Sequence, residues 1–154
     1  MVSFPIAPIF IPAHHTDWTN KAIEAGADGL IYDLEDAVPY AKKDISRQEL
    51  LKFLGNNKLE IPILIRINSL ETDFGKDDYS AIKEYSHKNL HIIIPKIENT
   101  EVLRGIERET KLIALIETPM AIQNISEISK DPLIKGLLLG PADLSASLGS
   151  SLSW

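Results

Sequence analysis

The chain has 154 residues, 44% of them hydrophobic and 25% charged, with a formal net charge of -6 and no cysteine. This is ordinary globular composition with length for one core. The negative balance, without any Lys/Arg-rich run, excludes the basic field that a polyphosphate backbone requires, and the lack of cysteine excludes disulfides, thiolate metal sites and thiol nucleophiles. No stretch approaches the roughly 20 apolar residues that span a bilayer. Residues 1–12 are apolar but lack a basic start and are broken by Pro5, Pro8 and Pro12, unlike a secretory signal. The expectation is a soluble, cytoplasmic protein, with residues 1–154 forming a single domain and small molecules rather than nucleic acid or membrane as partners.

In chain order, residues 8–13 (PIFIPA) predict a short first strand, followed by a helix capped by Thr16 or Asp17, carrying Trp18, Ala22, Ile23 and Ala25, and ended by Gly26. A second strand is expected over 29–34. Residues 42–54 then read as a helix with Ile45, Leu50, Leu51 and Leu54 inward, closed by Gly55 and Asn56. Strand three is expected over 61–68, a polar loop with Gly75 leads to a helix over 78–85, and strand four covers 92–97. Asn99 or Thr100 caps a helix bearing Val102, Leu103 and Ile106, and strand five spans 111–116. Pro119 suits an early position of a helix over 120–129, strand six is 134–139, and 145–154 reads as a serine-rich stub.

Strands alternating with helical patterns over short connections indicate βαβ units and a mostly parallel sheet. The strands are apolar on both faces, as they are when helices cover one side and a packed interior the other. About six units of roughly 25 residues are present, whereas eight need about 200 residues. The fold class expected is therefore α/β, a TIM-type (β/α)₈ barrel of which this chain holds about six βα units.

Charge sits at the strand ends, in GLIYDLED, ILIRIN, HIIIPKIE, KLIALIE and KGLLLGPAD. In a parallel sheet the carboxyl ends of all strands open onto one rim. Strand side chains alternate, so Ile31, Asp33 and Glu35 share a face, as do Leu64, Arg66 and Asn68, then Ile94, Lys96 and Glu98, then Ile113, Leu115 and Glu117. The opposite faces carry no charge. A guanidinium within ILIRIN is costly to bury alone, so Arg66 is expected to meet a carboxylate.

Glu117 and Asp143 follow adjacent strands and make a hard-oxygen pair suited to Mg²⁺, which is held by one or two carboxylates plus waters and ligand oxygens. Such an ion chelating a 2-oxo acid polarises its carbonyl and stabilises the enolate formed when a neighbouring carbon-carbon bond breaks. Arg66 is placed to clamp a substrate carboxylate through two parallel hydrogen bonds. Plainer readings stand beside these. A lone acid after a strand is ordinarily a helix cap or solvated turn, and Lys96 and Glu98 can pair with each other. His14 and His15 read as a solvated turn or a phosphate contact, and Lys42, Lys43 and Arg47 as an exposed helix face or, as the lesser reading, a nucleotide-phosphate contact.

The motifs together resemble the citrate lyase β-subunit-like group of the acyl-CoA lyase and 2-oxo acid aldolase superfamily. Asp33-Leu34-Glu35-Asp36-Ala37-Val38 with Lys43 and Arg47 is similar to its DLEDAV signature, Arg66-Ile67-Asn68 to its RIN strand end, and Pro95-Lys96-Ile97-Glu98 to its PKxE segment. Ile116-Glu117-Thr118 is similar to its IET element, and Gly140-Pro141-Ala142-Asp143-Leu144 with Leu148-Gly149 to its GxxDL and LG loop. The matches run in order along nearly the whole chain.

The resemblance implies a (β/α)₈ barrel, a homo-oligomer such as a trimer or hexamer, and a Mg²⁺-dependent carbon-carbon lyase. Its substrate would be a hydroxy-acyl-CoA of the citryl-CoA or malyl-CoA kind, with coenzyme A entering as part of the substrate. Glu117 and Asp143 then match the metal ligands, with Glu117 also beside the substrate, and Arg66 matches the group on the substrate carboxylate. Asp33, Glu35 and Asp36 match the acidic catalytic cluster near the metal. Two alternatives stand: a class II pyruvate aldolase acting on free hydroxy-oxo acids, and a non-catalytic fragment or subunit. The chain departs from the family in Ala13-His14-His15, where members often have glycine after the first proline. Strands seven and eight and the covering segment are absent before Trp154, so completion by association, or origin in a longer gene, is expected.

Overall fold

The computed structural model describes residues 4–85 and 90–151. Its strands are β1 (Ile9–Pro12), β2 (Leu30–Asp33), β3 (Ile63–Arg66), β4 (Leu90–Ile94), β5 (Leu112–Ile116) and β6 (Ile134–Leu139). They belong to one sheet in chain order, which is the βαβ succession expected from the sequence. The chain divides into two compact units, Met1–Ile92 and Ile93–Trp154. Among the described residues no helix is long and apolar enough to cross a membrane.

In the first unit β1, β2 and β3 pair in parallel, with Pro12 opposite Asp33 and Asp33 opposite Arg66. The uncharged face of β2 and β3 is fully buried at Leu30, Tyr32, Ile63 and Ile65. Burying each such side chain contributes about 1.5–3 kcal/mol. The helices of this unit are α1 (Thr19–Glu24), α2 (Lys43–Asn56) and α3 (Asp73–Lys83). Tyr32 joins two of them to the sheet. Its hydroxyl is 2.7 Å from that of Thr19, and its ring meets Phe53 edge-on at 6.3 Å.

Two expectations shift here. In α2 the buried positions are Ser46, Arg47, Leu50 and Leu54, whereas Ile45 is 54% exposed, because the helix turns the Arg47 side rather than the Ile45 side inward. Helix α3 begins five residues before the expected 78, since Thr72 caps it by accepting the Gly75 N–H at 3.1 Å. Gly75 therefore sits in the first turn and not in a loop. A Cβ there would lie 2.0 Å from the Ser69 carbonyl oxygen and 2.5 Å from that of Asn68. Gly75→Ala is expected to cost at least about 1–3 kcal/mol in a urea titration. Gly55→Ala, inside α2 with open space around it, should instead gain roughly 0.5–1 kcal/mol.

In the second unit β5 and β6 pair in parallel from Leu112 opposite Ile134 to Ile116 opposite Leu139. Every residue of β5 is buried, while β6 alternates, with Leu137 and Leu139 exposed. The helix expected after Asn99 is only a 3₁₀ turn, Thr100–Leu103, which Asn99 caps through the Glu101 N–H and which Gly105 follows at φ 90. The helix expected over 120–129 breaks into α4 (Pro119–Gln123) and α5 (Ile125–Ile128) at Asn124. There the Asn124 side chain leaves the helix to donate to the Glu98 carbonyl at 2.7 Å. A helix, α6 (Pro141–Ser147), forms with Pro141 at its first position and takes in the first three residues of the serine-rich stub expected over 145–154, of which 152–154 lie outside the described residues.

Candidate functional site

In the first unit the strand ends assemble around Arg66. Its Nε donates to Asp33 Oδ1 at 2.8 Å and its Nη2 to Oδ2 at 2.6 Å, a two-point fork between paired positions of β2 and β3. Its Nη1 lies 3.4 Å from Glu35 and 3.7 Å from Asp36. The Phe10 ring of β1 covers one face, 5.4 Å from the guanidinium carbon. Burial opposes the charge of Arg66, but the hydrogen bonds and charge of Asp33, with Glu35 and Asp36, outweigh it and raise the pKa further. Arg66 meets a carboxylate, as its place in ILIRIN required.

Asp33 is occupied on both oxygens. Besides Arg66 it accepts the Glu35 N–H at 2.8 Å and the Ala37 N–H at 3.0 Å, closing the turn after β2. With four donors on one carboxylate and 1% exposure, Asp33 acts as a fixed orienting group. Glu35 is buried and Asp36 half exposed, so the three acids of DLED hold three different environments.

Lys43 and Arg47 are not the exposed face that their spacing suggested. Lys43 Nζ turns back to donate to the carbonyls of Leu34 at 3.0 Å and Glu35 at 2.8 Å. Burial lowers its pKa, opposed by the charges of Asp78, Glu35, Asp33 and Asp36. Arg47 is buried against Asp78 at 2.8 Å and also reaches Asp44. Asp78, fully buried on α3, was not among the sequence candidates. It accepts both the backbone and side-chain N–H of Asn68, at 2.9 and 2.7 Å. Only the RIN motif pointed near it, because Asn68 itself ends that motif.

His14 and His15 differ from the solvated turn expected. The His15 ring stacks on Trp18 at 4.4 Å, and both histidines are only partly exposed. Burial, then His15 and Lys42, lowers the pKa of His14.

In the second unit Glu117 follows β5 and is 1% exposed. Its Oε1 accepts the Lys96 N–H at 2.8 Å. That donor is aimed by an unusual backbone, since Lys96 has φ 52, a left-handed conformation costing about 1–2 kcal/mol in an L-residue. β4 ends at Ile94, so strand alternation does not extend to Lys96 and Glu98, whose side chains are both exposed. Gly140, after β6, keeps space beside Glu117. A Cβ there would stand 2.7 Å from Glu117 Cβ and 3.0 Å from Oε2. Asp143 lies three positions on, exposed in the first turn of α6. A buried carboxylate packed close against Gly140, with Asp143 three positions after that glycine, is a donor set of the kind that suits a hard divalent cation. Among the described residues no group of three or more His, Asp or Glu side chains is gathered for a metal.

Parallel strands alternating with helices, with charged groups at the strands' carboxyl ends in each unit, define an α/β protein of the (β/α)₈ class. The chain belongs to the HpcH/HpaI aldolase/citrate lyase family, whose pattern matches residues 7–153. It is 31% identical over 146 residues to a (3S)-malyl-CoA thioesterase of Cereibacter sphaeroides, a match covering 92% of this chain and 50% of that protein. The citrate lyase beta subunit of M. tuberculosis, solved with oxaloacetate and magnesium, superposes with a TM-score of 0.77 at 30% identity, covering 96% of this chain and 63% of that one. CitE from Mycobacterium tuberculosis in complex with magnesium, acetoacetate and coenzyme A gives a TM-score of 0.77 and 30% identity over 96% of this chain and 53% of that one. The chain spans about half the length of the curated relatives it matches.

Proposed function

We propose that this chain carries the metal- and carboxylate-binding part of a Mg²⁺-dependent carbon-carbon lyase acting on a hydroxy-acyl-CoA, with residues 1–154 as one lyase domain of a homo-oligomer. The observation that carries it is the fixed presentation of Arg66. With one edge forked to Asp33, one face on Phe10 and Nη1 3.4 Å from Glu35 and 3.7 Å from Asp36, the guanidinium is held in a single direction, so that a substrate carboxylate exchanging with those two acids meets a fixed group. Glu117 and Asp143 would hold the ion, and the lack of a side chain at Gly140 lets Glu117 keep its position. When bound, Mg²⁺ supplies Lewis-acid polarisation of an oxo-acid carbonyl. Lys96, through its backbone N–H, keeps the Glu117 carboxylate in place.

In the cleavage direction the substrate hydroxyl loses its proton and its carbon becomes the carbonyl of an oxo acid. The electron pair of the broken carbon-carbon bond passes to the thioester α-carbon, which is then protonated. Coenzyme A is favoured as the carrier because two of the relatives named above are a malyl-CoA thioesterase and a CitE in complex with coenzyme A. The test is to supply malyl-CoA or citryl-CoA with Mg²⁺ and measure release of the oxo acid and acyl-CoA, with the activity lost in EDTA. Turnover of free hydroxy-oxo acids but not of thioesters would replace this reading by a pyruvate aldolase. Binding of Mg²⁺ and oxaloacetate without cleavage would replace it by a non-catalytic subunit.

A further inference from the structure

We infer that Asp78 is a positioning residue for Arg66, acting through Asn68 and the backbone that joins Asp33 to Glu35; this rests on Arg66 being the group that grips the substrate carboxylate. Asp78 stands on α3, not on a strand, and has no exposure. One of its oxygens, Oδ2, takes two donors from a single residue, the Asn68 N–H at 2.9 Å and Nδ2 at 2.7 Å. The same Nδ2 also donates to the Leu34 carbonyl at 3.0 Å. An amide nitrogen has two hydrogens, so both are committed and the side chain cannot rotate without losing a bond.

The Leu34 carbonyl lies between Asp33 and Glu35, the acids that face Arg66. The Leu34 N–H, in turn, donates to the Arg66 carbonyl at 2.9 Å. Asp78 thus fixes the chain two residues after Arg66 and, through one amide, the peptide beside Arg66's acidic partners. Its other oxygen is held by Arg47 at 2.8 Å, which sets the direction of the carboxylate. A buried ion pair of this kind adds little net stability over well-packed apolar residues. What it adds is direction, and here the direction leads to the strand end that bears Arg66.

The test is a double-mutant cycle read in oxaloacetate affinity, measured by calorimetry on the full chain with Mg²⁺. Asp78→Asn should weaken binding about tenfold in the parent and less than about twofold in the Arg66→Lys background, because there the fork it positions is already gone. Equal weakening in both backgrounds, or none in the parent, overturns the inference. Asn68→Ala, which spares the Asp78–Arg47 pair, must reproduce the pattern, and it replaces Asp78→Asn should that variant not fold. If the parent binds no oxaloacetate, the lyase reading is still decided by the turnover assay, and exchange of the Arg66 Nε–H with water, followed by NMR, decides the positioning role. Exchange about tenfold faster in either variant, with the β2 amides as protected as before, supports the positioning role. Unchanged exchange, or equal loss of protection throughout β2, overturns it.

Discussion

Arg66→Met is expected to lower folding stability by about 3–5 kcal/mol, read as a reduced midpoint in urea denaturation. The side chain is 13% exposed and Asp33 2%, so solvent screens the pair little. Methionine fills much of the volume, so the loss is electrostatic rather than a cavity effect. It leaves the Asp33 carboxylate buried with the Glu35 and Ala37 N–H groups, and removes the guanidinium that lies 3.4 Å from Glu35 and 3.7 Å from Asp36. Adding Asp33→Asn to Arg66→Met should recover part of the loss, because an amide tolerates burial better than an unpaired charge. A change within about 0.5 kcal/mol, as at an ordinary surface site, would show that the fork carries no stabilisation.

Glu117→Gln should fold like the parent yet lose at least about a hundredfold in Mg²⁺-dependent turnover and bind Mg²⁺ correspondingly weakly. Glutamine keeps a carbonyl oxygen for the Lys96 N–H, so the loop that holds residue 117 remains satisfied. The charge is removed and one acceptor oxygen becomes an N–H donor. Gly140→Ala reaches the same carboxylate by another route, since the added methyl must push Glu117 aside while every charge stays. Its backbone φ of -101 is open to alanine, so a weakened ion in this variant reports space and not strain. Unchanged turnover in Glu117→Gln, with an active parent, removes Glu117 from the metal.

Much of this arrangement is legible in the sequence where local periodicity and chemistry agree. β6 runs over the residues expected, and the alternation of ILIRIN and GLIYDLED put Arg66 and Asp33 on one face, where they meet. The misses share a physical origin in side chains that leave their own element. Lys43 and Arg47 look like an exposed stripe because helical spacing cannot show that two loop carbonyls and a distant Asp78 wait for them. Asn124 has moderate helical propensity, and its bond to the Glu98 carbonyl is a tertiary contact that overrides propensity. The early start of α3 was hidden because Gly75 reads as a loop residue until the carbonyls of Asn68 and Ser69 are seen pressing on it. The resemblance to a family supplied residue roles, but it named motifs and not the buried carboxylate behind them.

The double engagement of Asp33 joins two equilibria that would otherwise be independent. The same carboxylate closes the turn through the Glu35 and Ala37 N–H groups and holds the guanidinium across the sheet. Anything that draws Arg66 away from it loosens that turn, and anything that orders the turn sharpens the arginine. By linkage, an anion gripped at Arg66 and the conformation of residues 35–37 must each bias the other by the same free energy.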